Sequence, residues 1–331
     1  MLEHNSLPPA NADAGRTETH DKYQSSASAD RMADRSRPTK IGFIGLGLMG
    51  SAMAQNLAAA GYAVNAYVRR PEQLEELEAR GLRATQHIDD LLGCKILISM
   101  LPDDNAVRQV FFDNGNAADA LANRMAPGTI HLSMSTIGTV AAAHFASEHQ
   151  RRGQGYVAAP VFGNPDAAKA RQLAIVVAGP PVHCERCRSL IEALGQVFVV
   201  GTDPEQANRI KLLGNMLTAT SLEVLGEVTT VLRKCGQDPQ QFVDIMTDTM
   251  FGSRVHRLYG SRIVAGDYAA GLAMPLALKD VRLALAEAER AGAPMPSVSL
   301  VRDRMITAIA RGHAELDWTA LGLVASEEAG L

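Results

Sequence analysis

The chain has 331 residues, of which 47% are hydrophobic and 21% charged, and its formal net charge is −4. That balance excludes both the basic footprint of a nucleic-acid binder and the acidic excess of a solvating tail, so the expected partner is a small molecule and not nucleic acid. No apolar run approaches the roughly 18 to 20 residues that cross a bilayer, and the first residues show no basic stretch leading into an apolar one, so a cytoplasmic protein without membrane contact is expected.

Residues 1–39 are rich in Ser, Ala, Asp, Asn, Arg and Pro and nearly free of large aliphatic side chains. Such a segment buries too little apolar surface to offset its ordering entropy, so it reads as a disordered tail. Acids at Glu3, Asp13, Glu18, Asp21, Asp30 and Asp34 argue against an organelle transit peptide. From Lys40 short apolar runs alternate with helical segments: "KIGFIGLG", a helix through "LMGSAMAQNLAAAG", "AVNAYV", a helix through "PEQLEELEARG", then "KILISML". This βαβαβ order predicts a mostly parallel sheet with helices on both faces. "TIHLSMS", "YVAAPV", "LAIVVAG" and "VFVVG" extend the sheet to about residue 201. Strands then stop, and residues 205–234 form one long helical pattern ending at Gly236, followed by several Ala- and Leu-rich helices. Two domains are expected, 40–201 for the sheet and 202–331 for a helical substrate and dimerisation domain, joined by the long helix.

"GFIGLGLMGSAMA" places Gly45, Gly47 and Gly50 in G-x-G-x-x-G spacing after a strand and into a helix. Gly45 permits the tight turn, Gly47 lets backbone approach a pyrophosphate, and Gly50 allows close helix-to-strand packing. The intervening Leu46, Leu48 and Met49 belong to the same phosphate-facing turn, whose helix N-terminus offers free N–H groups to an anion. The first domain is thus a doubly wound Rossmann-type α/β domain. At the end of the second strand, "AYVRRPEQ" carries Arg69 and Arg70 where NAD-specific folds place a carboxylate, which favours NADP(H) while leaving NAD(H) possible.

Lys211 and Asn215 of "NRIKLLGN" stand at i and i+4 on one helix face. Ile210, Leu213, Leu217, Val224 and Val228 mark much of this helix as buried, which places Lys211 where the two domains meet. Burial there lowers a lysine pKa toward the range useful for proton donation. A solvated or capping lysine is the other reading of the spacing.

Six motifs in order, "IGFIGLGLMGSAMAQNLAAAG", "LPDDNAV", "SMSTIG", "AAPVFGNPDAAKARQLAIVVAG", "IKLLGN" and "LALKDVRLALAEAERAG", resemble the β-hydroxyacid dehydrogenase family over about residues 40–322. The family includes 3-hydroxyisobutyrate dehydrogenases and the tartronate semialdehyde, glyoxylate and succinic semialdehyde reductases. The resemblance implies that Lys211 is the catalytic acid or base in hydride transfer between nicotinamide and a small carbonyl or hydroxy acid, and that Asn215 helps hold the substrate. It also implies that Leu101 and Pro102 line the cofactor, that Thr136 lies beside the nicotinamide ribose, and that Lys279 with Asp280 closes over the cofactor from the helical domain.

The chain departs from the family at its D-A-P-V-S-G-G segment. "AAPVFGN" puts Ala159 for the acid, Phe162 for the serine and Asn164 for the second glycine, so the carboxylate grip is weakened or rebuilt with Asn164 and the backbone at Gly163. Gly138 stands where many members of the family have a small residue, or Ser or Asp before proline, in the nicotinamide loop. A less polar carbonyl, or even an imine, is therefore an open alternative. An imine reductase or reductive aminase and a non-catalytic dinucleotide-binding scaffold both share the fold, and the retained lysine weighs against each. The resemblance further implies a homodimer or homotetramer in which the long helix takes part.

No metal site is expected. Cys94, Cys184, Cys187 and Cys235 are too few for a disulfide framework, and the CxxC pair in "HCERCR" has no second close pair to complete a zinc site. The nine histidines are scattered; His131, on a strand leading to "STIG", and His256, in the polar "GSRVHRLYGSR" segment, are the two that could border a cleft.

Overall fold

The computed structural model describes residues 39–113, 115 and 119–331. The expected tail, residues 1–39, lies outside the described residues except for Thr39. Strands buried on both faces need a long connection to run parallel, and the helical segments between them supply it. The parallel part of the sheet is built from β1 (Lys40–Ile44), β2 (Ala63–Tyr67), β3 (Arg83–Thr85), β4 (Ile96–Ser99), β5 (Ile130–Ser133) and β6 (Gly155–Ala158), in the order 3-2-1-4-5-6. Ala159 and Pro160 separate β6 from β7 (Val161–Phe162), and both pair antiparallel with β8 (Leu173–Ala178). Strand β9 (Gly195–Gly201) runs parallel to β8 and ends the sheet.

Helices α1 (Leu48–Ala59), α2 (Gln73–Ala79), α3 (Asp104–Phe111), α4 (Leu121–Arg124), α5 (Thr139–Arg151), α6 (Pro165–Lys169) and α7 (Pro181–Glu192) connect the strands. Ile41, Phe43, Met53, Leu57, Ile98, Leu132 and Leu190 fill one face of the sheet, and Ile44, Leu97, Val107, Phe111 and Phe145 the other. Strand β3 was not legible as a run: its three residues, Arg83, Ala84 and Thr85, are partly exposed and lack an apolar stretch.

After β9 the described chain is helical: α8 (Pro204–Lys234), α9 (Pro239–Asp248), α10 (Arg254–Ala265), α11 (Met274–Arg290), α12 (Pro296–Ala310) and α13 (Leu321–Glu328). Pro204 starts α8 where a missing N–H costs nothing, and the Asp203 N–H donates to Gln206 Oε1 at 3.1 Å. Its 31 residues span about 46 Å, far enough to pack on α5, β6 and β8 at one end and on α12 and α13 further along. Leu212, Met216, Leu222, Met274, Val281, Met305 and Trp318 form the helical core. Lys40 to Leu331 make one compact unit.

One reading of α8 is corrected. Ile210, Leu213, Leu217 and Val224 are exposed, Leu217 by 76%, and Val228 is only half-buried. The buried face consists of Ala207, Leu212, Met216, Ala219, Leu222 and Gly226 instead. With apolar residues on more than one face, periodicity cannot say which stripe meets the core.

Candidate active site

A cleft of about 1400 Å³ lies between the ends of β1, β2, β4 and β5 and the helices α8, α10 and α11. It is the crevice outside the carboxyl ends of the parallel strands, where open α/β sheets bind ligands. Gly45, Leu46, Gly47, Leu48, Met49 and Gly50 line it, as do Arg69, Arg70, Leu101, Pro102, Thr136, Phe162, Gly163, Asn164, Lys211, Asn215, Lys279 and Asp280. The structure therefore brings together in one cleft residues as far apart in the chain as Gly45 and Trp318.

The glycine turn has three distinct constraints. Gly45 has φ +97°, and a Cβ there would lie 2.2 Å from the Met100 carbonyl oxygen. A Cβ on Gly50 would lie 1.9 Å from the Gly45 carbonyl oxygen, so this glycine sets how closely α1 meets the turn. At Gly47 nothing stands within 4 Å of an added Cβ, and α1 begins there with neither a capping side chain nor an acid in its first turn. The first-turn N–H groups thus face open space at the positive end of the helix dipole, an arrangement that fits a dinucleotide pyrophosphate. Arg69 and Arg70 follow β2 on the same wall; both are exposed, and neither is ion-paired among the described residues. Their planar, forked donors fit a ribose 2′-phosphate.

Lys211 sits at the floor of the cleft, 7% exposed. Its Nζ donates to Asn215 Oδ1 at 2.8 Å, and Asn215 Nδ2 donates to Asp280 Oδ2 at 2.7 Å. Burial pulls the Lys211 ammonium down from 10.5 to about 8; the Asp280 charge opposes this shift and the Lys279 charge adds to it. Asp280 Oδ1 lies 2.9 Å from Lys279 Nζ, close enough for Coulombic pairing though not aligned for a hydrogen bond. Lys279 Nζ donates to the Pro102 and Thr136 carbonyl oxygens at 2.9 and 2.6 Å, tying α11 to the loops after β4 and β5. The same helix is held a second time where Glu287 accepts from Thr139 Oγ1 at 2.6 Å and from Arg209 Nε at 2.5 Å. Lys211 therefore lies by a seam that α11 ties at two points, through Lys279 and through Glu287.

Phe162 presents its ring to the ammonium, with Lys211 Nζ 4.4 Å from the ring centroid. A cation–π contact of this kind favours the charged lysine, by about 2 kcal/mol where the pair is desolvated. Asn164 uses Oδ1 to cap α6, accepting from the Ala167 N–H at 2.9 Å, so only its amide Nδ2 is left to face a ligand. Gly163 has φ +142° and is packed on Leu173, which restricts the position to glycine. Ala159 is fully buried in the core of the sheet and does not line the cleft. At Gly138 a Cβ would meet Asp104 Oδ2 at 3.0 Å and Leu283 Cδ2 at 3.1 Å, and its N–H donates to Asp104 Oδ1 at 2.9 Å, which accounts for a glycine in this loop.

Both histidines singled out from the sequence lie off the cleft. His131 is fully buried: Ser99 Oγ donates to its Nε2 at 2.8 Å, its Nδ1 donates to His149 Nε2 at 2.9 Å, and His149 Nδ1 donates to Gln154 Oε1 at 2.8 Å. Burial holds His131 well below 6.5 and His149 at about 4, so the pair is neutral core packing against Phe111 and Tyr156. His256 belongs to the N-cap of α10, where its Nδ1 meets Ser253 Oγ at 2.6 Å. Its neighbours Arg254, Val255, Leu258 and Tyr259 line the cleft instead, together with Leu272, Leu276 and Trp318. No motif marks these residues, and only the i, i+4 spacing of Val255 and Tyr259 hinted at a shared face. Among the described residues no group of His, Cys, Asp and Glu could hold a metal ion. Cys187 is buried in α7 with its thiol pushed up to about 12, and burial raises Cys184 as well, so the CxxC pair is unreactive packing.

Residues 40–201 match the NAD binding domain of 6-phosphogluconate dehydrogenase, and residues 206–324 the NAD-binding domain of NADP-dependent 3-hydroxyisobutyrate dehydrogenase. An uncharacterized oxidoreductase, YfjR, of Bacillus subtilis is 37% identical over 287 residues, 85% of this chain and 98% of that one. The NAD-dependent L-serine dehydrogenase of Pseudomonas aeruginosa is 31% identical over 85% of this chain and 96% of its own length. The solved structure of Psf3 in complex with NADP+ and 2-OPP superposes with a TM-score of 0.77 at 25% identity, covering 86% of this chain and 99% of that one. With both halves matched and a relative of known class aligned nearly end to end, the chain belongs to the NAD(P)-dependent β-hydroxyacid dehydrogenase family.

Proposed function

We propose that the chain reduces a small carbonyl compound, or oxidises the corresponding hydroxy compound, with NADP(H) as the preferred dinucleotide and Lys211 as general acid and base. The observation that carries this reading is a buried lysine, lowered to about 8, hydrogen-bonded through Asn215 to Asp280 on the floor of the cleft that the glycine turn opens. A nicotinamide dinucleotide bound along Gly45–Gly50 supplies or accepts the hydride. Lys211 then gives its proton to the substrate oxygen in reduction and takes one in oxidation. Asn215 keeps the ammonium aimed, because its oxygen can only accept from Lys211 while its amide is committed to Asp280. Arg69 and Arg70 are proposed to hold the 2′-phosphate.

The chain is further proposed to act as a homodimer or dimer of dimers. Ile210, Leu213, Leu217, Val224 and Val231 repeat at intervals of three, four and seven residues along the exposed face of α8, an apolar stripe of coiled-coil spacing without a partner among the described residues. Light scattering at micromolar concentration that finds only monomer would refute this assembly.

The catalytic reading is tested by following NADPH oxidation with glyoxylate, succinic semialdehyde, tartronate semialdehyde, methylglyoxal and an aromatic aldehyde. Turnover of at least one supports it. Tight NADPH binding with no turnover on any, combined with turnover of a cyclic imine, favours imine reduction instead.

A further inference from the structure

Phe162 lies on β7 opposite Ala174, half-buried, with its ring against α8. A Cβ added to Gly214 would fall 2.4 Å from Phe162 Cζ and 2.6 Å from Cε1, closer than any real contact, so the ring occupies the notch left by the missing side chain. Gly214 is mid-helix, where glycine destabilises relative to alanine, and its conformation does not require one. The close approach of the phenylalanine ring therefore accounts for a glycine at this position. The same ring stands 4.4 Å from Lys211 Nζ, so one wall of the reacting centre is aromatic carbon.

A carboxylate placed beside the reacting carbonyl would lose its water and need donors in return. The Phe162 ring supplies none and Pro165 has no N–H; of the Asn164 side chain, whose oxygen caps α6, only the amide Nδ2 is left as a donor. Lys279 is already engaged by two carbonyl oxygens and Asp280, and Lys211 is needed at the substrate oxygen. The helical side of the cleft is lined by Val255, Leu258, Tyr259 and Leu276, with Arg254 as a cation on α10.

We infer that Phe162 and Gly214 form a matched pair that sets substrate choice, so that the site favours carbonyl compounds whose reacting carbon bears an aryl or branched alkyl group over those bearing a carboxylate there. The inference rests on the carbonyl reductase reading above and narrows it.

The test compares kcat/KM for benzaldehyde and glyoxylate in the wild type, Phe162→Ser, Gly214→Ala and the double variant Phe162→Ser/Gly214→Ala, with NADPH affinity and thermal melting recorded for each. The wild type is expected to prefer benzaldehyde, and Phe162→Ser to lower the benzaldehyde-to-glyoxylate ratio by roughly 10-fold or more. Gly214→Ala is expected to reduce benzaldehyde turnover about 10-fold through the displaced ring, and to have almost no effect once Phe162 is serine. That rescue separates a matched pair from a helix merely disturbed at Gly214. Preference for glyoxylate in the wild type, a ratio unmoved by Phe162→Ser, or equal damage from Gly214→Ala in both backgrounds overturns the inference while leaving carbonyl reduction standing. Failure of a wild type that binds NADPH to turn over benzaldehyde, glyoxylate or any other carbonyl of the panel above overturns both.

Discussion

Lys211 Nζ donates to Asn215 Oδ1 at 2.8 Å, one helical turn further along α8, and this bond joins the buried ammonium to the carboxylate of Asp280 on another helix. The lysine is thus desolvated and oriented at once. Desolvation lowers its pKa to about 8, while the Asp280 charge prevents a larger fall.

Lys211→Met should lower kcat/KM for carbonyl reduction by about 10²–10⁴-fold, the usual worth of a positioned acid, with NADPH affinity unchanged. In the wild type, reduction should fall as pH rises through about 8, because the proton to be donated is lost there. A variant that keeps wild-type turnover removes Lys211 from the mechanism.

The same residue makes a stability prediction of definite sign. An unfolded lysine titrates near 10.5, so between pH 8 and 10.5 the unfolded chain binds the proton that the folded chain has released. Folded stability therefore rises with pH across that window. The Tm of the wild type should gain on that of Lys211→Met between pH 8 and 10, and a constant difference would show that the lysine is not desolvated.

Asp280→Asn removes the charge that holds the Lys211 pKa up but keeps an acceptor for Asn215. The alkaline limb of the reduction profile should move below pH 8. If it stays in place, Asp280 does not act through Lys211.

The glycine turn separates binding from folding. Gly47→Ala meets nothing within 4 Å and has an ordinary negative φ of −76°, so melting should be nearly unchanged while NADPH binding weakens at least 10-fold, as the methyl enters the space where the phosphates approach. Gly50→Ala would drive a methyl into the Gly45 carbonyl and should destabilise the fold itself. Equal melting losses in the two variants would contradict these separate roles.

His149 is buried neutral, with its pKa depressed from 6.5 to about 4. The unfolded chain takes up the proton first as pH falls, so this residue costs stability progressively from pH 6.5 down to about 4. The melting difference between the wild type and His149→Leu, measured from pH 7 to pH 4.5, should shift steadily in favour of the leucine variant. A difference independent of pH would mean that the histidine protonates freely in the fold.

Local signals carried much of this protein. The glycine spacing after a β-run, the strand and helix alternation up to about residue 201, and the 31-residue α8 were legible because each rests on periodicity or on backbone conformations that few residues adopt. The six motifs identified the family and named Lys211, Asn215, Lys279 and Asp280 before any geometry was known. Tertiary structure decided which apolar stripe of α8 faces inward, since Leu217 and Leu212 look alike in sequence but only Leu212 meets the helical core. It decided that His131 is core while Tyr259 and Trp318 reach the cleft. It also brought Phe162 of β7 into the notch of Gly214, 52 positions away. Such pairings depend on how a helix settles on a sheet edge, a long-range packing outcome that no local window of residues encodes.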